Sequence, residues 1–552
     1  MSIVESNQYM IEPKKYPPAK MNLPKKQEQP SPLQNIYNAA LQYHGTGQLA
    51  NAERCCRTII AINPLHADSL HLLGTIAFQA GNYLAAVELI NKAIGLNDKC
   101  SDYYCNLGSA LQALGHMDEA VNSYNQALAL KPDHAVACNN IGNALQTLGR
   151  LEESITAYKS ALVVRPYDAD TYSNLGSTLQ ALGRIDEATA SYNQALTLKP
   201  DHVVAHFNLG GLLQALGKLD DALRHYEQAL ALRPEYAQAH TKKAMIQLIQ
   251  GNLTSGWIEY EWRWRIQDFS FYNRKFSSPM WHGEPLNGQR ILLHSEQGLG
   301  DCLQFLRYLP MVQAAGGIVV LEIPARLQRL AAQLPGVTHF AVTGEPLPPF
   351  DQHCPLMSLP LVFGTNLETI PSKVPYLSIP PDALQKASAL QWPTEGLRVG
   401  LAWAGSSQHA MNQFRSISLS ILQPLFDIKE VKFFSLQIDT AAKQLRTINA
   451  TITDLSSVTT DMADTAAQIA QLDLVISVDT SVAHLAGALA KPFWLLLSCD
   501  TDWRWLLERE DSPWYPTARL FRQTILGDWS SVVDRVASSL ALLANKAKSV
   551  AL

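Results

Sequence analysis

Residues 115–148 read GHMDEAVNSYNQALALKPDHAVACNNIGNALQTL, and residues 149–182 read GRLEESITAYKSALVVRPYDADTYSNLGSTLQAL. The two windows align without a gap, Tyr124 on Tyr158, Pro132 on Pro166 and Gly142 on Gly176. Extended outward, the same 34-residue step places glycine at 47, 81, 115, 149, 183, 217 and 251. In register with these run Gly74, Gly108, Gly142, Gly176 and Gly210, then Ala52, Ala86, Ala120, Ala188 and Ala222, then Tyr124, Tyr158, Tyr192 and Tyr226, and Pro64, Pro132, Pro166, Pro200 and Pro234. Each class implies a mechanical role. A mid-helix Gly and a small Ala let two antiparallel helices approach, Tyr fills the space between units, the second Gly makes the turn, and Pro stops the second helix.

The pattern resembles the tetratricopeptide repeat over residues 33–268, with Ser154 in place of one small Ala and Asp98 in place of one Pro. A seventh, degenerate unit keeps register through Gly251 and Tyr260 and ends in GWIEYEWRWR, which reads as a cap joining the solenoid to the next domain. All 11 tryptophans lie at or beyond Trp257. A polar position also repeats: Asn106, Asn140, Asn174 and Asn208, each two residues before the in-register Gly. A solvated helix position explains it, and so does a line of amides along the superhelix that meets an extended peptide backbone. The repeat array resembles that of the eukaryotic-type protein O-GlcNAc transferases, whose asparagine ladder implies the second use and a protein or peptide acceptor.

The remaining composition is that of a folded soluble chain, 47% apolar and 17% charged with net charge −5, which gives no electrostatic footprint for nucleic acid. Eight scattered cysteines without a CxxC suggest neither a zinc cluster nor a disulfide framework. Residues 1–32, rich in Pro and Lys, read as a disordered tail, and no segment nears the roughly 18 apolar residues that span a bilayer. A cytoplasmic protein is the expectation.

After a linker at 269–284 the period changes. RILLHS (290–295), IVVLEIP, RVGLAWAG, VKFFSLQ, LDLVIS and FWLLLS read as buried strands alternating with helices, which implies two doubly wound parallel sheets. The Pro-rich ETIPSKVPYLSIPPD (368–382) separates them, giving Rossmann-like halves at 285–395, the acceptor side, and 396–552, the donor side. Gly298 and Gly300 in EQGLGD, with Glu322 beyond, resemble part of a dinucleotide fingerprint. The third glycine is replaced by Leu303, and Asp301 would oppose a pyrophosphate. Asp301 suits a general base better, or a helix cap, and the two roles are compatible.

RILLHSEQGLGDCLQFLRYLP and VDTSVAHLAGALAKP are similar to the two signatures of the heptosyltransferase-type glycosyltransferases. Together with WRW, WAG followed by Arg415 and Ser416, and DWRWLLEREDSPWYP, they resemble the bacterial group that fuses tetratricopeptide repeats to such a domain. The resemblance implies a GT-B fold and transfer of a sugar from a nucleotide-diphosphate donor, without a resident cofactor or metal. It implies Asp301 as catalytic base, and Arg415, Thr480, Ser481, Val482 through its amide, and His484 as the diphosphate cradle. Asp479, with Gly298 and Gly300, is expected to shape the loops, Asp479 by accepting turn amides. Gln437, Thr501, Asp502 and Arg504 are candidates for sugar or base contact. Asp500-Thr501-Asp502 also resembles a metal-binding DxD, although only about 50 residues follow it. The rivals are a non-catalytic repeat scaffold and a dinucleotide enzyme.

Overall fold

The computed structural model of the 552-residue chain describes residues 31–266, 274, 276–405, 412–438, 440–525 and 527–551. The tail expected at 1–32, apart from its last two residues, and most of the first half of the expected linker lie outside them. The chain forms two compact units, divided between Pro234 and Glu235.

The N-terminal unit is a tetratricopeptide solenoid of helix pairs: Pro32–Gly45 with Leu49–Ile62, Ala67–Gln79 with Tyr83–Leu96, Ser101–Ala113 with Met117–Leu130, Ala135–Thr147 with Leu151–Val164, Ala169–Ala181 with Ile185–Leu198, and Val203–Ala215 with Leu219–Leu232. Every turn glycine of the 34-residue series has φ between +73° and +84°, the left-handed region where a Cβ is costly. The mid-helix glycines serve a different purpose. A Cβ on Gly108 would stand 2.5 Å from the Tyr124 ring, and Gly176 and Gly210 face Tyr192 and Tyr226 in the same way. The tyrosine therefore fills a notch inside its own pair as well as packing toward the next unit, as the spacing suggests.

Contacts between pairs are polar as well as apolar. His134 and His202 cap their helices through Nδ1, which accepts from Ala137 N at 3.3 Å and Ala205 N at 3.2 Å. Their Nε2 atoms lie 3.0 Å from Asp102 and 2.9 Å from Asp170 of the preceding pair. Accepting at Nδ1 puts the proton of the neutral ring on Nε2, facing the carboxylate.

The C-terminal unit begins with the seventh pair, Ala237–Ile249 and Leu253–Tyr260, and a 3₁₀ turn Glu261–Arg265. Two wholly parallel sheets come next. The first contains β1 (Arg290–His294), β2 (Ile318–Ile323), β3 (Val337–Val342) and β4 (Gln352–Pro355), in the order β3-β2-β1-β4. The second contains β5 (Leu397–Ala402), β6 (Val431–Ser435), β7 (Ile452–Asp454), β8 (Leu474–Val478), β9 (Phe493–Leu497) and β10 (Ala518–Arg522), in the order β10-β9-β8-β5-β6-β7. The six strands read from the sequence are the apolar ones. β3, β4, β7 and β10 escaped that reading because they are edge strands with interrupted apolar runs. The helical stretch that follows β1, over DCLQFLRYLPMVQAAGG, is broken into Leu299–Phe305, a 3₁₀ turn and Leu309–Ala314, with Pro310 at the start of the last piece.

One continuous core joins Trp257 and Tyr260 of the seventh pair, the first half, and Trp503, Trp514 and Tyr515 of the second half. The other face of the second sheet packs on Val532, Val533 and Val536 of the helix Ser530–Ala551. Among the described residues no helix is long and apolar enough to cross a membrane.

The two kinds of helical glycine can be separated by substitution. Gly108→Ala must displace the Tyr124 ring and is expected to destabilise by about 1–3 kcal/mol. Gly95→Ala, in a helix with nothing within 4 Å of its Cβ, is expected to stabilise by about 0.5–1 kcal/mol. Urea titrations of the three proteins followed by circular dichroism read both signs, and equal effects would refute the notch.

Candidate functional site

In an open parallel sheet, ligands gather outside the carboxyl ends of the strands where the order reverses. The first sheet reverses between β1 and β4, and the second between β5 and β8. EQGLGD follows β1, Trp403-Ala404-Gly405 follows β5, Asp479-Thr480-Ser481 follows β8, and Ser498 to Arg504 follow β9.

Asp301 lies in the first turn of the helix Leu299–Phe305. Its Oδ2 accepts from Gly298 N at 2.9 Å, a cap, and its Oδ1 accepts from Arg504 Nη2 of the second half. Arg504 is 1% exposed, donates from Nε to Gln304 Oε1 at 2.6 Å and from Nη1 to Asp502 Oδ1 at 2.8 Å, and lies 4.3 Å from the Trp503 ring centre. Both oxygens of the expected base are thus engaged, and Asp502 and Arg504 form a buried bridge where open sugar or base contacts were expected. Gly298 has φ −72°, so its backbone does not itself demand glycine. Gly300 does not shape the loop by φ either: a Cβ there would stand 2.8 Å from His484 Cδ2, so glycine lets the two helices meet.

The β8 exit starts the eight-residue helix Ser481–Ala488, with Thr480 at its N-cap and the Thr480 hydroxyl 3.1 Å from Ser477 Oγ. Ser481 and Val482 are half-buried in its first turn, where backbone amides have no acceptor within the helix. His484 is buried, with Nδ1 2.9 Å from the Tyr515 hydroxyl and its ring tilted over Trp505. Burial, reinforced by the Arg504 charge, pushes its pKa down to about 3, so the imidazole is neutral. Asp479, read as an acceptor of turn amides, faces His484 instead, with Oδ1 3.8 Å from Nε2.

Gln437 is buried and bound to the neighbouring loop, accepting from Trp403 N and Ala404 N at 3.2 and 3.1 Å and donating to Ala404 O at 2.9 Å. It shapes the WAG turn; its amide is not held open for a base. The Arg415 guanidinium lies on Gly405, where a Cβ would come 2.6 Å from Nη2, and Arg415 Nε is buried without a partner. Beside it opens a cavity of about 400 Å³ lined by Gly405, Asn412, Ser416, Thr440 and Gln444. Since β5 and β8 are neighbours, with Ala402 opposite Ser477, the cavity and the Thr480 turn leave adjacent strands.

Gln304 Nε2, Thr501 Oγ1 and Trp505 Nε1 are also buried without partners in this region. Asp500 is exposed while Asp502 is held by Arg504, and among the described residues no cluster of three or more His, Cys, Asp or Glu could hold a metal. Glu322, at the place of a ribose-binding acid, is fully buried and gripped through both oxygens by Arg274. Sequence reasoning passed over Arg263, Glu296, Gln304 and Tyr515. Their signal was present in the quoted WRW, EQGLGD, DCLQFLRYLP and WYP segments, without a spacing that assigns a role.

In the solenoid the repeated asparagines are half-buried or buried, and three of them bond to the preceding pair. Asn106 Nδ2 lies 2.8 Å from His71 Nε2, Asn140 donates to Ser109 Oγ at 3.4 Å, and Asn174 donates to Asn143 Oδ1 at 3.1 Å. Asn208 is 6% exposed. The line of amides contributes to the coupling between pairs.

Known proteins resemble parts of this chain. One tetratricopeptide-repeat model matches twice, at residues 133–201 and 167–235, a TPR-repeat model matches 108–149, and a model described as anaphase-promoting complex, cyclosome, subunit 3 matches 45–127. Protein FlbA of Caulobacter vibrioides is 26% identical over 326 residues, 54% of this chain and 54% of its own, so the chain spans about half the length of that relative. Among solved structures, the APC/C hetero-tetramer Cut9-Hcn1 is 18% identical, covering 39% of this chain and 42% of its own with a TM-score of 0.36. TTC0263, a TPR protein of Thermus thermophilus, is 26% identical, covering 33% and 99% with a TM-score of 0.30.

The buried neutral histidines set an acid limit. His294 is pushed down to about 3 by burial and His484 likewise, both below the unfolded value of about 6.5. The unfolded chain therefore takes up protons first, and stability is lost as pH falls from about 6.5 towards 3. The expected result is a thermal midpoint that drops between pH 7 and 4.5, with a shallower slope in His484→Gln; an unchanged slope would refute the assignment to His484.

Proposed function

We propose that the C-terminal unit is a GT-B glycosyltransferase that moves a sugar from a nucleotide-diphosphate donor to an acceptor hydroxyl, and that the repeats hold a protein or peptide acceptor. The observation that carries this reading is the opposition of the β1 exit to the β8 exit. Asp301 and the N-terminus of the helix Ser481–Ala488 lie on facing halves, Arg504 bridges from the second half to Asp301, and unpartnered buried donors lie nearby. Donors without acceptors suit a ligand rich in oxygen.

In this reading the amides of Ser481 and Val482, with the Thr480 hydroxyl, receive the diphosphate at the positive end of the helix. Arg415 adds a charge-assisted contact, and the cavity beside Gly405 takes the nucleoside. Arg504 exchanges one carboxylate for phosphate, which releases Asp301. The acceptor oxygen then attacks the anomeric carbon, its proton passes to Asp301, and the bond to the diphosphate breaks, the electron pair leaving with the nucleoside diphosphate. His484, neutral, offers a hydrogen bond and no charge.

A second reading, a scaffold whose transferase half is silent, is favoured by one observation: Asp301 is locked between Gly298 N and Arg504. Thermal-shift screening with UDP-, GDP-, ADP- and dTDP-sugars separates the two, since a ligand at about 100 times its dissociation constant stabilises by roughly 2.7 kcal/mol. The transferase reading expects a shift with one nucleotide, kept in Asp301→Asn, and transfer reduced by about 10²–10⁴ in that variant. No shift and no transfer with any donor would leave the scaffold, and an unaltered rate in the variant would remove Asp301 as the base.

A further inference from the structure

Arg263, in the 3₁₀ turn that closes the seventh helix pair, is wholly buried. Its Nε donates to Glu296 Oε2 at 3.1 Å, and Nη2 donates to Glu296 Oε1 at 3.0 Å and to Ser358 Oγ at 2.8 Å. Nη1 donates to Tyr260 O at 3.1 Å and to Glu261 Oε1 at 2.7 Å. Three segments distant in sequence therefore meet on one guanidinium: the end of the repeat cap, the first residue of EQGLGD, and the turn after β4. Glu296 stands five residues before Asp301 in the same loop. Its remaining contact is Met357 N at 3.2 Å, and Gln297 beside it donates to the Tyr260 hydroxyl at 3.0 Å.

We infer that Arg263 is a positioning residue, through which the last repeat pair holds the EQGLGD loop and so sets where Asp301 stands. The inference rests on the transferase reading for its kinetic consequence, though not for its structural one. A planar fork that meets both oxygens of a carboxylate fixes direction as well as distance, which a single ammonium cannot do. The arrangement is also costly to break from one side, since Glu296 is 3% exposed and a buried carboxylate without its cation is strongly destabilised.

Among the described residues, the surroundings of Glu296 offer no substitute. Facing it are Arg263, Glu261 and Tyr260 from the seventh pair, Cys354 from β4 and Cys302 from the following helix, so Arg263 is the cation among them. Burial pushes the Glu296 carboxyl up to about 7 while Arg263 draws it back. With Arg263 removed the pKa rises further. The acid is then tolerated when protonated at low pH and rejected when charged at high pH, so the loop loosens as pH rises. The same seventh pair reaches the second half, where Trp257 meets the Trp503 ring edge-on with centroids 5.1 Å apart, and the first half, through Trp257 Nε1 to Thr365 O at 3.0 Å. Arg263 therefore belongs to a wedge packed against both halves, and displacement of that wedge acts on the loop.

The test compares wild type, Arg263→Met, Arg263→Lys and the double variant Arg263→Met/Glu296→Gln. Amide hydrogen exchange of residues 295–305, corrected for the intrinsic rate, is measured at pH 6 and pH 8, together with sugar transfer. Arg263→Met is expected to lose about tenfold or more of the loop's protection at pH 8 and less at pH 6. The double variant, which removes the stranded charge, regains protection at both pH values. Arg263→Lys, which keeps the charge and serves if the Met variant does not fold, loses turnover by about a hundredfold with donor KM held within about twofold. Equal protection in wild type and both single variants, or a loss in Arg263→Met that the double variant does not repair, would overturn the inference. Absence of transfer in the wild-type protein would defeat the transferase reading alone, because the exchange arm still judges Arg263.

Discussion

A guanidinium shut away from water imposes the tightest constraint on the C-terminal unit. Arg504 can be buried only if each of its donors meets an acceptor, and it draws those acceptors from both halves: Asp301 and Gln304 from one, Asp502 from the other. An unpaired charge at that depth would be strongly destabilising, so the halves are held in one register. That register decides its neighbours. Gly300 must be small because His484 lies against it, and His484 is held neutral by burial first and by the Arg504 charge second. Arg307 repeats the device nearby, donating from Nη1 to the Trp514 carbonyl at 2.7 Å across the same boundary.

Much of the fold was legible because repetition and uninterrupted apolar runs are statements about burial. A glycine every 34 residues announces a backbone that must turn with positive φ, and RILLH or FWLLL can only be covered on both faces. The edge strands were not legible, since half their surface is wet. The site was legible as a set of loops, and much less so as a set of partners. EQGLGD and DTS mark strand exits by their position alone, while the pairing of Asp301 with Arg504 spans 203 residues. Gln437 shows the limit well: a polar residue at a strand's carboxyl end reads as a reader of ligands, yet its amide closes the WAG turn.

The glycine notches of the solenoid have a consequence for how such a chain can change over generations. Each tyrosine seats in the glycine of its own pair, while the apolar cluster around it runs on into the next pair. What passes between units, such as the His134 to Asp102 and His202 to Asp170 contacts, joins positions 32 residues apart. Deletion or duplication of one whole 34-residue unit would therefore preserve every glycine notch and replace one junction, polar and apolar, by another of the same design. Copy number then acts as a vernier: it lengthens or shortens the array in fixed increments and leaves the packing rules of each unit untouched.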